Sequence, residues 1–252
     1  MDSYSRQLIT HADHPIAAPL SEDSVRNLLD RVVTGQAESI LDLGCGEAAW
    51  LLRAMAAEPE LRAVGVDLSE ENLTRAEEEA DRHGARERLE LLRMDAREYR
   101  SEQPFDVVLS IGATHAFGGL LPTLAAARSH LAPGGTLLLG DCFWEREPDP
   151  AVLDVLGVGG DEWTGLADTV DRIIADGWVP VHGHTSTLEE WDEYEWSWTG
   201  SLSRWALEHP EHPDSAEAAE LAAEHRSQWL RSTRGTVGFV TVALRPAPPA
   251  VR

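Results

Sequence analysis

No lysine occurs anywhere in the 252-residue chain: its 21 basic side chains are all arginine, set against 44 acidic ones. Enzymes that form a Schiff base on a lysine amine, or that grip phosphate with a P-loop lysine, are therefore excluded whatever the fold. A formal net charge of −23 opposes association with nucleic acid or an anionic membrane, so neutral or cationic small molecules are the expected partners. Cysteine is scarce too. Cys45 and Cys142 cannot make a disulfide framework, which points to a reducing, cytoplasmic setting. No apolar run approaches the roughly 18 residues needed to span a bilayer, and no basic segment leads into an apolar one near Met1, so neither a membrane anchor nor a signal peptide is expected. Internal repeats are absent as well.

What is present is an alternation of strand-like and helix-like segments from Ser21 to Trp178, the pattern of a parallel sheet covered by helices. Ser21 can cap a helix that buries Val25, Leu28, Leu29, Val32 and Val33 and stops at Gly35. Strands are expected at 39–43, 62–66, 89–94, 105–111 and 136–140, with helices at 47–57, 69–83 and 120–131 between them. A further helix near 166–176 and strands near 178–184 and 236–244 follow. The roughly 50 residues between those two strands are too many for a plain loop. They read as helices at 191–198, 202–208 and 215–231, of which the Ala/Glu-rich run 215–225 has the composition of a solvated helix. The end, Arg245 to Arg252, reads as a disordered tail.

The sharpest segment runs from Ser39 to Ala49, an apolar strand ending in Asp42 and then Gly44-Cys45-Gly46 before a helix. Two close glycines let the backbone turn tightly and approach a ligand, and Asp67 follows about 20 residues on. Spacing alone fits a dinucleotide site. Charge argues otherwise: no arginine lies between Gly35 and Leu52, so a pyrophosphate would meet Asp42 and Glu47 at about 4 kcal/mol for charges 4 Å apart at an effective dielectric near 20. A cofactor carrying ammonium and sulfonium groups inverts that sign, and Asp67 has the two oxygens to accept from both ribose hydroxyls.

These residues resemble motif I of the class I S-adenosylmethionine-dependent methyltransferases. Asp67-Leu68-Ser69 is similar to that family's ribose-binding acidic loop, Met94-Asp95-Ala96 to its adenine-contacting stretch, 105–110 to its fourth strand, and 131–135 to the turn before its fifth. Ala48 departs from the third glycine that many members carry. The resemblance implies a three-layer α/β Rossmann-like sheet of order 3-2-1-4-5-7-6 with strand 7 antiparallel and a helical insertion between the last two strands. It also implies S-adenosylmethionine as cofactor, held by Asp42, Gly44, Cys45, Gly46, Asp67, Leu68, Asp95, Ala96, Ser110 and Ile111. That strand order would set the two cysteines about 9 to 10 Å apart, as reduced thiols.

Four parts are expected: an N-terminal lid and first helix over 1–34, the cofactor-binding core over 35–188, a helical acceptor lid over 189–234, and the last strand with its tail over 235–252. Methyl transfer is an in-line displacement that needs an acceptor held near the methyl with water excluded. His115, just past the fourth strand, is the candidate base or orienting group, though a helix-capping or packing role is open. His14, Trp144, Trp191, Tyr194 and Glu195 are candidates for the acceptor side, the last three with Trp198 on one helical face where an aromatic and acidic surface could cage a cation. Packing of the insertion is the alternative use of those rings. The pairs His11/His14 and His182/His184 lack a third ligand at fixed spacing, and no metal is expected. The leading expectation is methyl transfer to a nitrogen or oxygen of a small neutral or cationic molecule. A protein acceptor, a non-catalytic nucleoside-binding module and a nicotinamide-dependent oxidoreductase are the alternatives; the oligomeric state is left open.

Overall fold

The computed structural model describes residues 1, 6, 9–35 and 37–248. Its core is a seven-stranded sheet of order β3-β2-β1-β4-β5-β7-β6, built from β1 (Ser39–Leu43), β2 (Arg62–Asp67), β3 (Leu89–Arg93), β4 (Phe105–Ile111), β5 (Leu131–Trp144), β6 (Trp178–Thr185) and β7 (Val237–Pro246). Strands β1 to β5 run parallel, and β7 is antiparallel to β6. A dinucleotide-binding sheet in its usual order ends 4-5-6. The antiparallel strand between β5 and β6 sets this sheet apart.

The central strands read as continuous apolar runs because both faces are covered: Ile40, Leu41, Leu43, Val107, Val108 and Leu109 are all buried. Helix α1 (Glu22–Val32) buries Val25, Leu28, Leu29 and Val32 and carries acids in its first turn, as its spacing predicts. Helix α2 (Ala49–Ala57) follows β1, α3 (Glu70–Arg82) follows β2, and α4 (Thr114–Phe117) and α5 (Leu120–His130) both follow β4. Ser69 caps α3 by accepting from the Asn72 amide. Helix α2 has no side-chain cap. Its first amides open directly onto the glycine turn.

Two compact units are present, one of residues 22–142, 166–185 and 240–252, the other of 1–21, 143–165 and 186–239. The first holds most of the sheet, with α7 (Leu166–Ala175) covering β6. The second holds α6 (Pro150–Leu156), α8 (Leu188–Glu208) and α9 (Ser215–Gln228), with a π turn at Trp229–Thr233. Residues 1–21 thus fall in the unit of the insertion, while α1 falls in the sheet unit.

Several expectations need correcting. The segments 191–198 and 202–208 form one helix, α8, started by a capping box in which Thr187 and Glu190 exchange hydrogen bonds. The run 215–225 is not a solvated helix: Ala218 and Ala222 are fully buried against Leu202 and Ala206. Alanines four apart give α9 a flat stripe that lets two helices approach closely. Strand β5 extends from 131 to 144, and β7 takes in Arg245 and Pro246. Next in the expected tail, the Ala247 amide donates to the Gly177 carbonyl at 2.9 Å, and 249–252 lie outside the described residues.

In the insertion unit, β7 approaches Phe143 so closely that a Cβ on Gly238 would lie 2.3 Å from its ring. Phe143 is 1% exposed and has no room to yield. Gly238→Ala is expected to lower the stability of the protein by about 1–3 kcal/mol, measured by urea unfolding; an unchanged midpoint would contradict this packing.

Candidate functional site

Strand β1 ends in the turn the sequence predicts. Gly44 and Gly46 sit at φ 92° and 53° and Ala48 at 56°, so the residue that replaces the third glycine holds a left-handed conformation despite its Cβ. The Gly44 and Cys45 amides donate to the Val66 carbonyl at 2.9 and 3.0 Å. A Cβ on Gly44 would lie 2.7 Å from that of Ala113, so the turn also packs on the segment leaving β4. Asp67 closes the arrangement, accepting from the Gly46 amide at 2.8 Å and from the Ser69 amide at 2.9 Å, one on each oxygen. Lone pairs remain on both oxygens for further donors.

Asp42 is 2% exposed, and its Oδ1 has no hydrogen-bond partner among the described residues. Burial raises its pKa from 3.8 to about 7, and the charge of Asp67 pushes the same way. Its strand neighbour Leu109 precedes Ser110, whose buried hydroxyl likewise has no partner. Two unmet polar atoms thus lie at adjacent strand ends, where buried polar groups are ordinarily paired. Beside them, the Thr114 hydroxyl donates to Asp141 Oδ1 at 2.9 Å, tying α4 to β5. Sequence reasoning missed this pair, since Thr114 and Asp141 come together only through strand order. His115 stands exposed on α4. Both cysteines are free, and burial holds the Cys45 thiol well above its usual pKa, with Asp42 and Asp67 adding to the effect.

Two expectations about charge change. Arg75 of α3 forms an ion pair with Glu47 at 2.5 Å, so the glycine turn is less acidic than a window of neighbouring residues suggests. Asp95, after β3, is held by Arg97, whose Nε lies 3.0 and 3.1 Å from its two oxygens. That hydrogen bonding lowers the Asp95 pKa. Ala96 is buried beside it, whereas Leu68 is 66% exposed, an apolar side chain left bare next to Asp67.

In the insertion unit, His14 Nδ1 donates to the Ile16 carbonyl across 2.7 Å, and the ring meets that of Tyr194 edge-on at 5.4 Å. Trp191 stacks on Trp229 at 5.5 Å, and its buried indole N–H has no partner among the described residues. Glu195 pairs with His225 at 2.8 Å, and the same imidazole stacks on Trp198. The acidic member of the expected cage is therefore already matched from α9. Trp144 packs on Trp163 at 4.9 Å and donates to Gly160 O. In the sheet unit, His182 and His184 line a groove with Ser24, Asn27, Asp30 and Arg31; among the described residues no three His, Cys, Asp or Glu are placed to hold a metal ion, and no helix is long and apolar enough to cross a membrane.

Residues 40–135 match the family model of a methyltransferase domain, and the sheet is that of the class I S-adenosylmethionine-dependent methyltransferases. Residues 40–135 are thus similar to a methyltransferase domain, within a sheet of the class I methyltransferase fold. Among individual proteins, it is 28% identical to YjhP of Escherichia coli over 222 residues, 87% of this chain and 86% of that one. The crystal structure of YjhP superposes with a TM-score of 0.84 at 24% identity, covering 96% of this chain and 99% of that one. A methyltransferase from Geobacter sulfurreducens, crystallised with S-adenosylhomocysteine, superposes with a TM-score of 0.87 at 23% identity, covering 96% and 98%. A trans-aconitate 2-methyltransferase of Streptomyces avermitilis is 34% identical over 133 residues, about half of each chain (52% and 47%).

The Asp42 shift has a consequence for stability. Its folded pKa of about 7 exceeds the unfolded 3.8, so between these values the folded state holds the extra proton and stability falls as pH rises through that window. Asp42→Asn removes the penalty. The variant is expected to unfold a few kcal/mol later than the wild type at pH 8 and alongside it at pH 4, in urea titrations without ligand; equal stability at pH 8 would refute the shift.

Proposed function

We propose that this protein is an S-adenosylmethionine-dependent methyltransferase acting on a small-molecule acceptor. The observation that carries the reading is the buried, unpartnered Asp42 carboxylate at the glycine turn, which a cationic ligand would satisfy and a pyrophosphate would not. The residues suit the cofactor: Asp42 faces its cationic end, Gly44, Cys45 and Gly46 let the backbone approach, and Asp67 keeps lone pairs for the ribose. Leu68, Asp95, Ala96, Ser110 and Ile111 complete the holding set. When bound, the cofactor supplies an electrophilic methyl: its sulfur–carbon bond breaks as an acceptor lone pair forms the new bond, leaving a neutral thioether. The chain's own part is to align the acceptor, exclude water and, at an acceptor that bears a proton, take that proton on His115.

For the acceptor, His14, Tyr194 and Trp191 are the favoured contacts, since the Trp191 indole leaves a buried donor to be met. Trp144 and Glu195, matched within their unit, hold that unit together. A small molecule is further supported by the relative named for trans-aconitate. A nitrogen or oxygen nucleophile fits, and a location in the cytoplasm accords with two free thiols.

Calorimetry with S-adenosylhomocysteine is expected to show binding that weakens about tenfold or more in Asp67→Ala. Because ionised Asp42 favours the ligand's ammonium, affinity should rise with pH between about 6 and 8, by up to about tenfold per unit below pH 7. No binding at all would overturn the reading. In single-turnover assays with an identified acceptor, His115→Ala is expected to slow transfer by about a hundredfold while leaving S-adenosylhomocysteine affinity unchanged; an unaltered rate removes His115 from the chemistry.

A further inference from the structure

A groove of about 460 Å³ opens between α5 and the segment after β3, lined by Arg97, Arg100, Ser101, Phe117, Ser129 and His130 among others. Its lining, among the described residues, holds two guanidiniums and no carboxylate. In a chain of net charge −23 that is an unusual local balance. Arg97 already shares its charge with Asp95. Arg100 does not: its Nη1 donates to the carbonyls of Arg97 at 2.8 Å and Tyr99 at 2.6 Å, neutral acceptors that position the guanidinium without cancelling it. No carboxylate pairs with Arg100 among the described residues. The floor is ordered by His130, 3% exposed, whose Nδ1 lies 3.0 Å from the Ser101 hydroxyl and whose ring packs on Tyr99 at 5.3 Å. The lining also includes the apolar Ala96, Phe117, Pro122 and Ala126.

We propose that this groove is a second ligand site, one that binds a small organic anion, its charged group on the Arg97 and Arg100 guanidiniums and its apolar body on Phe117, Pro122 and Ala126. A planar guanidinium presents paired donors that match phosphate or carboxylate oxygens, and the acidic remainder of the surface repels anions, which keeps non-specific binding low. The volume is within the range of small-molecule sites. Phosphate monoester and carboxylate share this chemistry. Ala96, assigned above to the cofactor, also lines the groove; the anion's proposed contacts are Arg97, Arg100, Phe117, Pro122 and Ala126, none of them in the cofactor set, so the groove is predicted to fill whether or not S-adenosylhomocysteine is present.

The test is calorimetry on the full chain at low salt with phenyl phosphate, and with benzoate as the carboxylate arm. Submillimolar binding of at least one of them is expected, weakened about tenfold or more in Arg100→Gln. Ser129→Glu, which places a carboxylate on the exposed rim, should abolish it while leaving S-adenosylhomocysteine affinity as in the wild type. Circular dichroism confirms that both surface variants fold. Absence of binding of both probes up to about 10 mM, equal affinity in Arg100→Gln, or displacement of the probe by saturating S-adenosylhomocysteine would each overturn the proposal.

Discussion

The hydrogen bonds that Asp67 accepts from Gly46 and Ser69 hold the rest of the site in place. One carboxylate at the end of β2 fixes the glycine turn after β1 and starts α3 through Ser69, which then caps that helix. The turn has to be glycine-rich because its φ values are positive and because Gly44 leaves no room for a Cβ against Ala113. With the turn fixed, α2 begins without a side-chain cap and its amides remain available at the same mouth. The ends of β1, β2 and β4 thus form one rigid edge, and ligand chemistry in open α/β sheets gathers at such carboxyl ends.

Electrostatics at that edge is a balance struck in space. Asp42 is buried with no ion-pair partner among the described residues, and it holds a proton to a pH near 7. Glu47, five residues on, is neutralised by Arg75 from α3. The acidity that bears on function therefore belongs to one carboxylate whose position denies it solvent and a partner. In the insertion unit the same logic runs the other way: Glu195 finds His225, Asp13 finds Arg204 and Ser201, and Asp192 finds Arg234 and the Trp229 indole. Acid there is used for assembly.

Much of the fold was legible along the chain. Runs such as Ile40 to Leu43 and Val107 to Leu109 announce parallel strands because both sheet faces must be apolar, and Gly44, Gly46, Asp67 and Ser69 announce their turns by local geometry. The residue spacing was less informative where a helix face could be either wet or packed. The alanines of α9 carry too little hydrophobicity to mark a buried stripe, yet small size is what lets α8 come close. Likewise the aromatic face Trp191, Tyr194, Glu195 and Trp198 was visible, but the partners His14, Trp229 and His225 that divide it among themselves come from segments far apart in sequence.

The sequence by itself determined the strand and helix alternation, the glycine turn and the carboxylates at the strand ends, because each follows from backbone preferences and residue spacing within a few turns of chain. Tertiary structure alone decided which of those carboxylates keep their charge. It brought Arg75 to Glu47 and Thr114 to Asp141, and among the described residues it left Asp42 and Arg100 without counter-charges. Pairing and desolvation are set by distances between elements, and those distances exist only once the sheet has assembled.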